Sequence, residues 1–292
     1  MDLLLRSQSE ILADVQALLR DGGSARWTAA EVYGGINRAL GDWAGRVSVP
    51  ALYAPASLKW STTQYEYDLP SYIDEDAIQP QYQAPMYEPG TVLPTNATTW
   101  VDLYGWSVEP TAAGGRKLRF AQMPTNTAGR IIYWVTPTKV PTTVPTLSSS
   151  LAAGATSAVM GSVVDCDNVG WVKIDAECIG YSGVTRTATQ TTLLNLVRGQ
   201  SDTTDALHNS GANVTFCVGY PRADLLNQLY DRTMAWLHTM FMGNAAPQER
   251  DVHGQMIRLF NQRADEFWRK WQPRRAPRMV IGYRAIPRGE VL

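Results

Sequence analysis

The strongest constraint on the fold of this chain is a change in the spacing of its apolar residues between the ends and the middle. Near each end, apolar side chains recur every three or four residues, which is typical of a helix with one buried face. Between Pro50 and Val218, short alternating runs separated by proline, glycine and asparagine predict β-strands instead. The predicted order is therefore two helices, many strands, and two further helices.

The second helix has a clear start signal. Thr28 and Glu31 fit a capping box, in which each side chain binds the backbone amide of the other residue. Trp27 and Val32 flank this box and are placed to form a hydrophobic staple. These residues predict that the helix begins next to Thr28.

Two more helices are predicted after residue 220. Pro221 and Pro247 are well placed at helix starts, and Pro273 would end the last helix. One side of that last helix is predicted to carry Val252, Met256, Leu259, Phe260, Phe267 and Trp271.

Four amphipathic helices are most simply buried by packing them together. We therefore expect an α+β fold in which the N- and C-terminal helix pairs form a four-helix bundle. The predicted bundle comprises residues 1–48 and 219–272. Between helices two and three we expect a β-rich insertion, 49–141, and a small all-β module, 142–218 (the β module). Residues 273–292 are predicted to form an extended C-terminal arm.

The charge of the chain is unevenly distributed. The formal net charge is −1, yet ten Lys and Arg residues face five Asp and Glu residues between Glu249 and Leu292. A basic arm can bind DNA phosphates, dock its apolar run into a neighbouring subunit, or remain a solvated tail. The predicted portal- or subunit-docking residues of the arm are Arg274, Arg275, Arg278, Met279, Val280, Ile281, Tyr283 and Arg284.

Motifs for chemistry are sparse. The three histidines, His208, His238 and His253, have no neighbours at metal-ligand spacing, and three widely spaced cysteines suggest neither a disulfide framework nor a zinc site. Glu66 and Asp68 share one strand face, where an exposed polar surface is commoner than paired catalytic carboxylates. No apolar stretch approaches the ~18 residues of a membrane span. We expect no enzyme activity, no catalytic residue, no metal, no cofactor and no membrane association.

The N-terminal half resembles head-to-tail adaptor (connector) proteins of tailed bacteriophages. The resemblance covers most of residues 8–140 and, more weakly, the closing helices. It is carried by an ordered set of segments: 11–21, 26–32, 36–40, Tyr65-Glu66-Tyr67-Asp68-Leu69-Pro70 and Gly129-Arg130-Ile131-Ile132-Tyr133-Trp134.

The β module resembles a small unit that recurs in phage virion proteins. This resemblance implies that its arginine, histidine and glycine positions hold a turn rather than take part in catalysis. Asp202 departs from the pattern, because glycine is usual there. The motif residues are Glu177, Tyr181, Arg198, Gly199, Gln200, Thr204, His208 and Gly211.

Together the resemblances imply a structural virion protein. Its copies would form a ring, a dodecamer, between portal and tail in the neck of the virion, and would line the DNA exit channel. The implied partners are other copies of the chain, the portal protein, a tail or nozzle protein, a fibre protein and, without sequence readout, genomic double-stranded DNA. Assembly would take place in the host cytoplasm.

Two other functions remain open at this point. The chain could be another tail, baseplate or fibre-anchoring structural protein, with three- or six-fold symmetry and no affinity for portal. It could also be a glycan-binding or hydrolytic host-recognition protein, which would need a groove of aromatic side chains with paired carboxylates.

Overall fold

The computed structural model describes residues 4–20, 26–44, 46–54, 58–70, 78–87, 94–111, 115–120, 127–243 and 245–271, with side chains left undescribed in 82–87 and 94–99. The C-terminal arm, with all of its predicted docking residues from Arg274 to Arg284, lies outside the described residues.

The described residues form four helices and sixteen strands. The helices are α1 (Gln8–Leu19), α2 (Ala29–Gly41), α3 (Asp224–Met242) and α4 (Pro247–Lys270). The strands of the first half are β1 (Leu4–Ser7), β2 (Val49–Tyr53), β3 (Lys59–Trp60), β4 (Glu66–Leu69), β5 (Ile78–Tyr87), β6 (Pro94–Asp102), β7 (Trp106–Pro110), β8 (Arg116–Phe120) and β9 (Thr127–Val135). Those of the second half are β10 (Ser157–Met160), β11 (Val169–Ile174), β12 (Glu177–Ser182), β13 (Val184–Arg186), β14 (Thr191–Leu194), β15 (Val197–Gln200) and β16 (Val214–Tyr220).

The predicted α+β fold, a four-helix bundle with β structure inserted into it, is wrong. The described residues are mostly β, with 37% of them in strands, and four small sheets are arranged as a four-bladed β-propeller. The helices bury their apolar faces against β structure as well as against one another: Val218 and Tyr220 of β16 lie in the same core as the helices. The prediction assumed that amphipathic helices pack only with helices, and the sequence pattern does not specify the partner.

All strand pairs are antiparallel, and the sheets connect distant parts of the chain. One five-stranded sheet has the order β1-β16-β11-β12-β15, and β10-β14-β13 form a three-stranded sheet. In the first half, β2-β9-β5-β6 form a second sheet with β3 paired to β9, and β4-β8-β7 form the fourth. Leu4 lies opposite Tyr220 and Ser7 opposite Cys217, so the first described strand closes the edge of the sheet that contains the β module.

The capping box predicted for α2 is confirmed. Thr28 Oγ1 accepts a hydrogen bond from the Glu31 amide at 3.3 Å, and Glu31 Oε2 accepts one from the Thr28 amide at 2.8 Å. An equivalent box between Ser7 and Glu10, which the sequence analysis did not identify, starts α1 directly after β1.

A second core connects the first half of the chain to the β module. It contains Val49 and Ile131 from the β2–β9 pair together with Trp171 and Cys178 from the neighbouring five-stranded sheet. This packing places the β module against the β-rich insertion.

Candidate functional site: a buried carboxylate hub in the β module

Glu177 is the centre of the most connected polar cluster in the β module. It begins β12 after a tight turn at Asp175, whose φ is 52°, and its side chain is 1% exposed. A buried carboxylate needs hydrogen-bond donors on all sides, because an unpaired charge in the interior is strongly destabilising.

Arg198 supplies the principal counter-charge. Its Nε donates to Glu177 Oε1 at 2.8 Å and its Nη2 to Oε2 at 2.7 Å, which is the bidentate geometry of a guanidinium–carboxylate pair. The guanidinium also binds the carbonyl oxygens of Ala152 at 2.8 Å and Ala206 at 2.6 Å, and its Nη2 lies 2.9 Å from Asp205 Oδ1. One side chain thus joins β15 to β12 and to two loops.

Three more groups form hydrogen bonds with the carboxylate. The amides of Gly199 and Ala206 donate to Glu177 at 2.9 and 3.1 Å. His208 Nε2 lies 2.8 Å from Glu177 Oε2, and its Nδ1 lies 2.8 Å from Asp175 Oδ2. We call this set of residues the Glu177 hub.

The hub stabilises the ionised form of the Glu177 carboxylate. Burial raises the pKa of Glu177, but the hydrogen bonds from Arg198, His208 and the two amides outweigh it and lower the pKa to about 2. Five donors occupy a group that offers about four lone-pair sites. With every side of the carboxylate occupied by a donor, the arrangement links β12 to β15 and to the neighbouring loops.

The structure brings together four of the predicted motif residues: Glu177, Arg198, Gly199 and His208. Asp175 and the carbonyl groups of Ala152 and Ala206 were not predicted to belong to the cluster. Asp175 carried a weak signal, because an aspartate in a tight turn readily adopts a positive φ.

The other four motif residues lie away from the carboxylate. Tyr181 is buried and donates to the carbonyl oxygen of Asp167 at 3.2 Å, and burial raises its pKa. The carbonyl oxygen of Gln200 accepts the hydrogen bond that closes a tight turn, and Thr204 is exposed. The Gly211 amide donates to the carbonyl oxygen of Leu147 at 2.9 Å.

Asp202 preserves the turn that glycine usually forms in the resembling module. Ser201 and Asp202 have φ values of 54° and 60°, and the Thr203 amide donates to the Gln200 carbonyl at 3.2 Å. Two consecutive positive φ values in a four-residue turn define a type I′ turn. The substitution therefore keeps the turn, but with a side chain in the left-handed region.

The helices contain a second polar cluster. His238 Nδ1 and His253 Nδ1 lie 2.8 Å apart between α3 and α4. Burial, together with the neighbouring His253 and Arg26, lowers the pKa of His238 to about 4. Among the described residues there is no group of three or more His, Cys, Asp or Glu side chains that could hold a metal ion.

Of the two carboxylates considered for glycan chemistry, Glu66 is held in ion pairs. Glu66 binds Lys117 at 3.1 Å across the β4–β8 pair, and Arg119 connects it to Glu109. In the part of the chain that the structure describes, no helix has the length and apolarity needed to cross a bilayer.

Residues 6–160 match the family described as SU10 adaptor protein, and this match covers more than half of the chain. The chain therefore belongs to the SU10 adaptor protein family, which makes it a virion-associated structural protein of the phage adaptor type. The match ends before Glu177, so the hub lies outside it. No curated protein and no solved structure matches the chain.

Proposed function

We propose that copies of this chain assemble into a ring, a dodecamer, in the neck of the virion between portal and tail. The family match over residues 6–160 carries this proposal, because it covers α1, α2 and all the strands of the β-rich insertion. The role is structural rather than catalytic.

An exposed apolar surface on the helices supports assembly. Val252, Met256 and Leu259 lie on one face of α4 and are 54%, 38% and 47% exposed. Contiguous apolar surface of this kind marks sites where another protein binds. A head-to-tail interface closes into a ring when the rotation between neighbours divides a full turn.

The partners follow from the position of the ring. One face would bind the portal protein and the other a tail or nozzle protein, with a fibre protein as a further partner. Genomic double-stranded DNA would pass through the lumen and contact it only through its phosphates. The Glu177 hub would hold the strands and loops of the β module together within the assembled ring.

Native mass measurement of the purified chain, followed by co-sedimentation with its cognate portal protein, tests the proposal. We expect twelve-chain assemblies that sediment with portal. Trimers or hexamers that ignore portal would contradict it and favour a tail, baseplate or fibre-anchoring role.

A further inference from the structure

A groove of about 590 Å³ lies between α1, α3 and α4. Its walls are mainly apolar and come from all three helices: Leu18 from α1, Leu226, Tyr230 and Met234 from α3, and Phe260 from α4. Leu18 is 55% exposed at the rim. A rim leucine and an open apolar groove together form a surface that another chain can cover.

Two exposed apolar residues of α4 lie just before the groove residue Phe260. Met256 precedes Phe260 by four residues, about one helical turn, and Leu259 precedes it by one residue. The helix buries only His253 and Ala264 among its described residues. The apolar surface is therefore elongated along α4, as a bound extended segment requires.

Two carboxylates lie in the groove, and they differ in how well they are neutralised. Asp14 Oδ2 accepts hydrogen bonds from the guanidinium of Arg6 at 2.8 Å and from the hydroxyl of Tyr230 at 2.5 Å. Asp231 has a single, longer contact with Arg263 at 3.4 Å, and burial raises its pKa. An additional guanidinium would stabilise the Asp231 carboxylate.

The sequence of this chain contains a segment with the matching chemistry. Residues 274–284 combine the apolar run Met279-Val280-Ile281-Gly282-Tyr283 with flanking arginines. Apolar side chains would fill the groove, and an arginine would reach Asp231. At about 3.3 Å per extended residue, the 13 residues after Trp271 span up to roughly 40 Å.

The end of α4 indicates which copy supplies the segment. Trp271 Nε1 donates to the carbonyl of Arg46, which follows α2, at 3.1 Å, and Arg222 stacks over its ring at 5.1 Å. The described chain therefore ends beside the segments that follow α2 and precede α3, whereas the groove is lined by α1, α3 and α4 and by no residue of α2. We infer that the groove is the docking site for residues 274–284 of a neighbouring copy, an inference that rests on the proposed ring.

Disulfide trapping between full-length chains tests this inference. A chain carrying Leu18→Cys is mixed with a chain carrying Ile281→Cys, and cross-linked dimers are followed under mild oxidation. A second pair, Val163→Cys with Ile281→Cys, is the matched control, because Val163 is 51% exposed and lies in the β module. We expect the Leu18 pair to cross-link at least about tenfold faster, because docking raises the effective concentration of the two thiols.

Four results would overturn the inference. If rings form normally but the two pairs cross-link at equal rates, the groove is not the docking site, and the proposed ring still stands. A double variant, Leu18→Cys with Ile281→Cys, that closes only within one chain would assign the groove to its own segment. Loss of the cross-link on adding portal would assign the segment to portal. Chains that form no ring would overturn the inference and the proposed function together.

Discussion

Arg198 and Glu177 form a bidentate ion pair in which both side chains are almost fully buried, 6% and 1% exposed, with N–O distances of 2.8 and 2.7 Å. The pair joins β15 to β12, and all five donors to the carboxylate come from residues that follow β12 in the sequence. The fold of the β module thus depends on a charge that only native contacts can neutralise.

Replacing Arg198 with methionine should destabilise the chain by about 3–5 kcal/mol, because it leaves the buried Glu177 carboxylate without its counter-charge. Urea unfolding followed by tryptophan fluorescence measures the change. Arg119→Met is the control: Arg119 is 54% exposed in its ion pairs with Glu66 and Glu109, so its loss should cost less than about 1 kcal/mol. Similar losses for both variants would contradict this account of the hub.

Glu177 should contribute to stability in a defined pH range. The pKa of the Glu177 carboxyl is about 2 in the folded chain, below its ordinary value of 4.5, so the unfolded chain takes up the proton first as the pH falls. The contribution, up to about 3 kcal/mol, is complete above pH ~4.5 and is lost as the pH falls through about 2. The unfolding free energies of the parent and of Glu177→Gln should therefore converge as the pH falls through this range. A constant difference would show that the ionised carboxylate is not the stabilising species.

Asp202→Gly should stabilise the chain by about 0.5–1 kcal/mol, because glycine adopts the positive φ of this turn position without a side-chain penalty. Asp202→Ala should instead destabilise it, since alanine has the same penalty and no polar side chain to offset it. Thermal unfolding of the parent and of the two variants measures the sign of each change in stability. A less stable Asp202→Gly chain would mean that the aspartate side chain holds the turn.

Gly129→Ala should destabilise the β-rich insertion by about 1–3 kcal/mol or more. A Cβ at Gly129 would lie 2.5 Å from Cε2 of Trp60, which is fully buried and fixed by a 2.7 Å hydrogen bond to the Gln81 carbonyl. Gly41→Ala, at the end of α2 with nothing within 4 Å, should be neutral or stabilising by up to about 1 kcal/mol. Equal unfolding midpoints for the two variants would contradict the close approach at Trp60.

Features that depend on neighbouring residues could be predicted from the sequence. Thr28 and Glu31 are three residues apart, and their capping box forms as expected. The presence of β structure between Pro50 and Val218 was also predictable, since alternation and turn residues are local signals. The resemblance of the N-terminal half, which depends on ordered local motifs, indicated a phage adaptor-type protein, as the family match supports.

Features that depend on distant residues could not be predicted. Leu4 pairs with Tyr220 across almost the whole chain, and no local pattern indicates that β1 precedes α1. The sequence motif included both Glu177 and His208. It did not indicate that these two residues, 31 apart in the sequence, are in contact. The predicted stripe on α4 divides into an exposed part, with Val252 and Met256, and a part packed on the core, because periodicity does not show how much of an apolar face is covered.

The central claim is that the chain forms the adaptor ring on the portal. Class averages of the full-length chain mixed with its cognate portal protein, imaged by negative-stain electron microscopy, measure it most directly. Twelve-fold rings stacked coaxially on portal are the expected result. Portal particles without an added ring, beside separate trimers or hexamers of this chain, would contradict it.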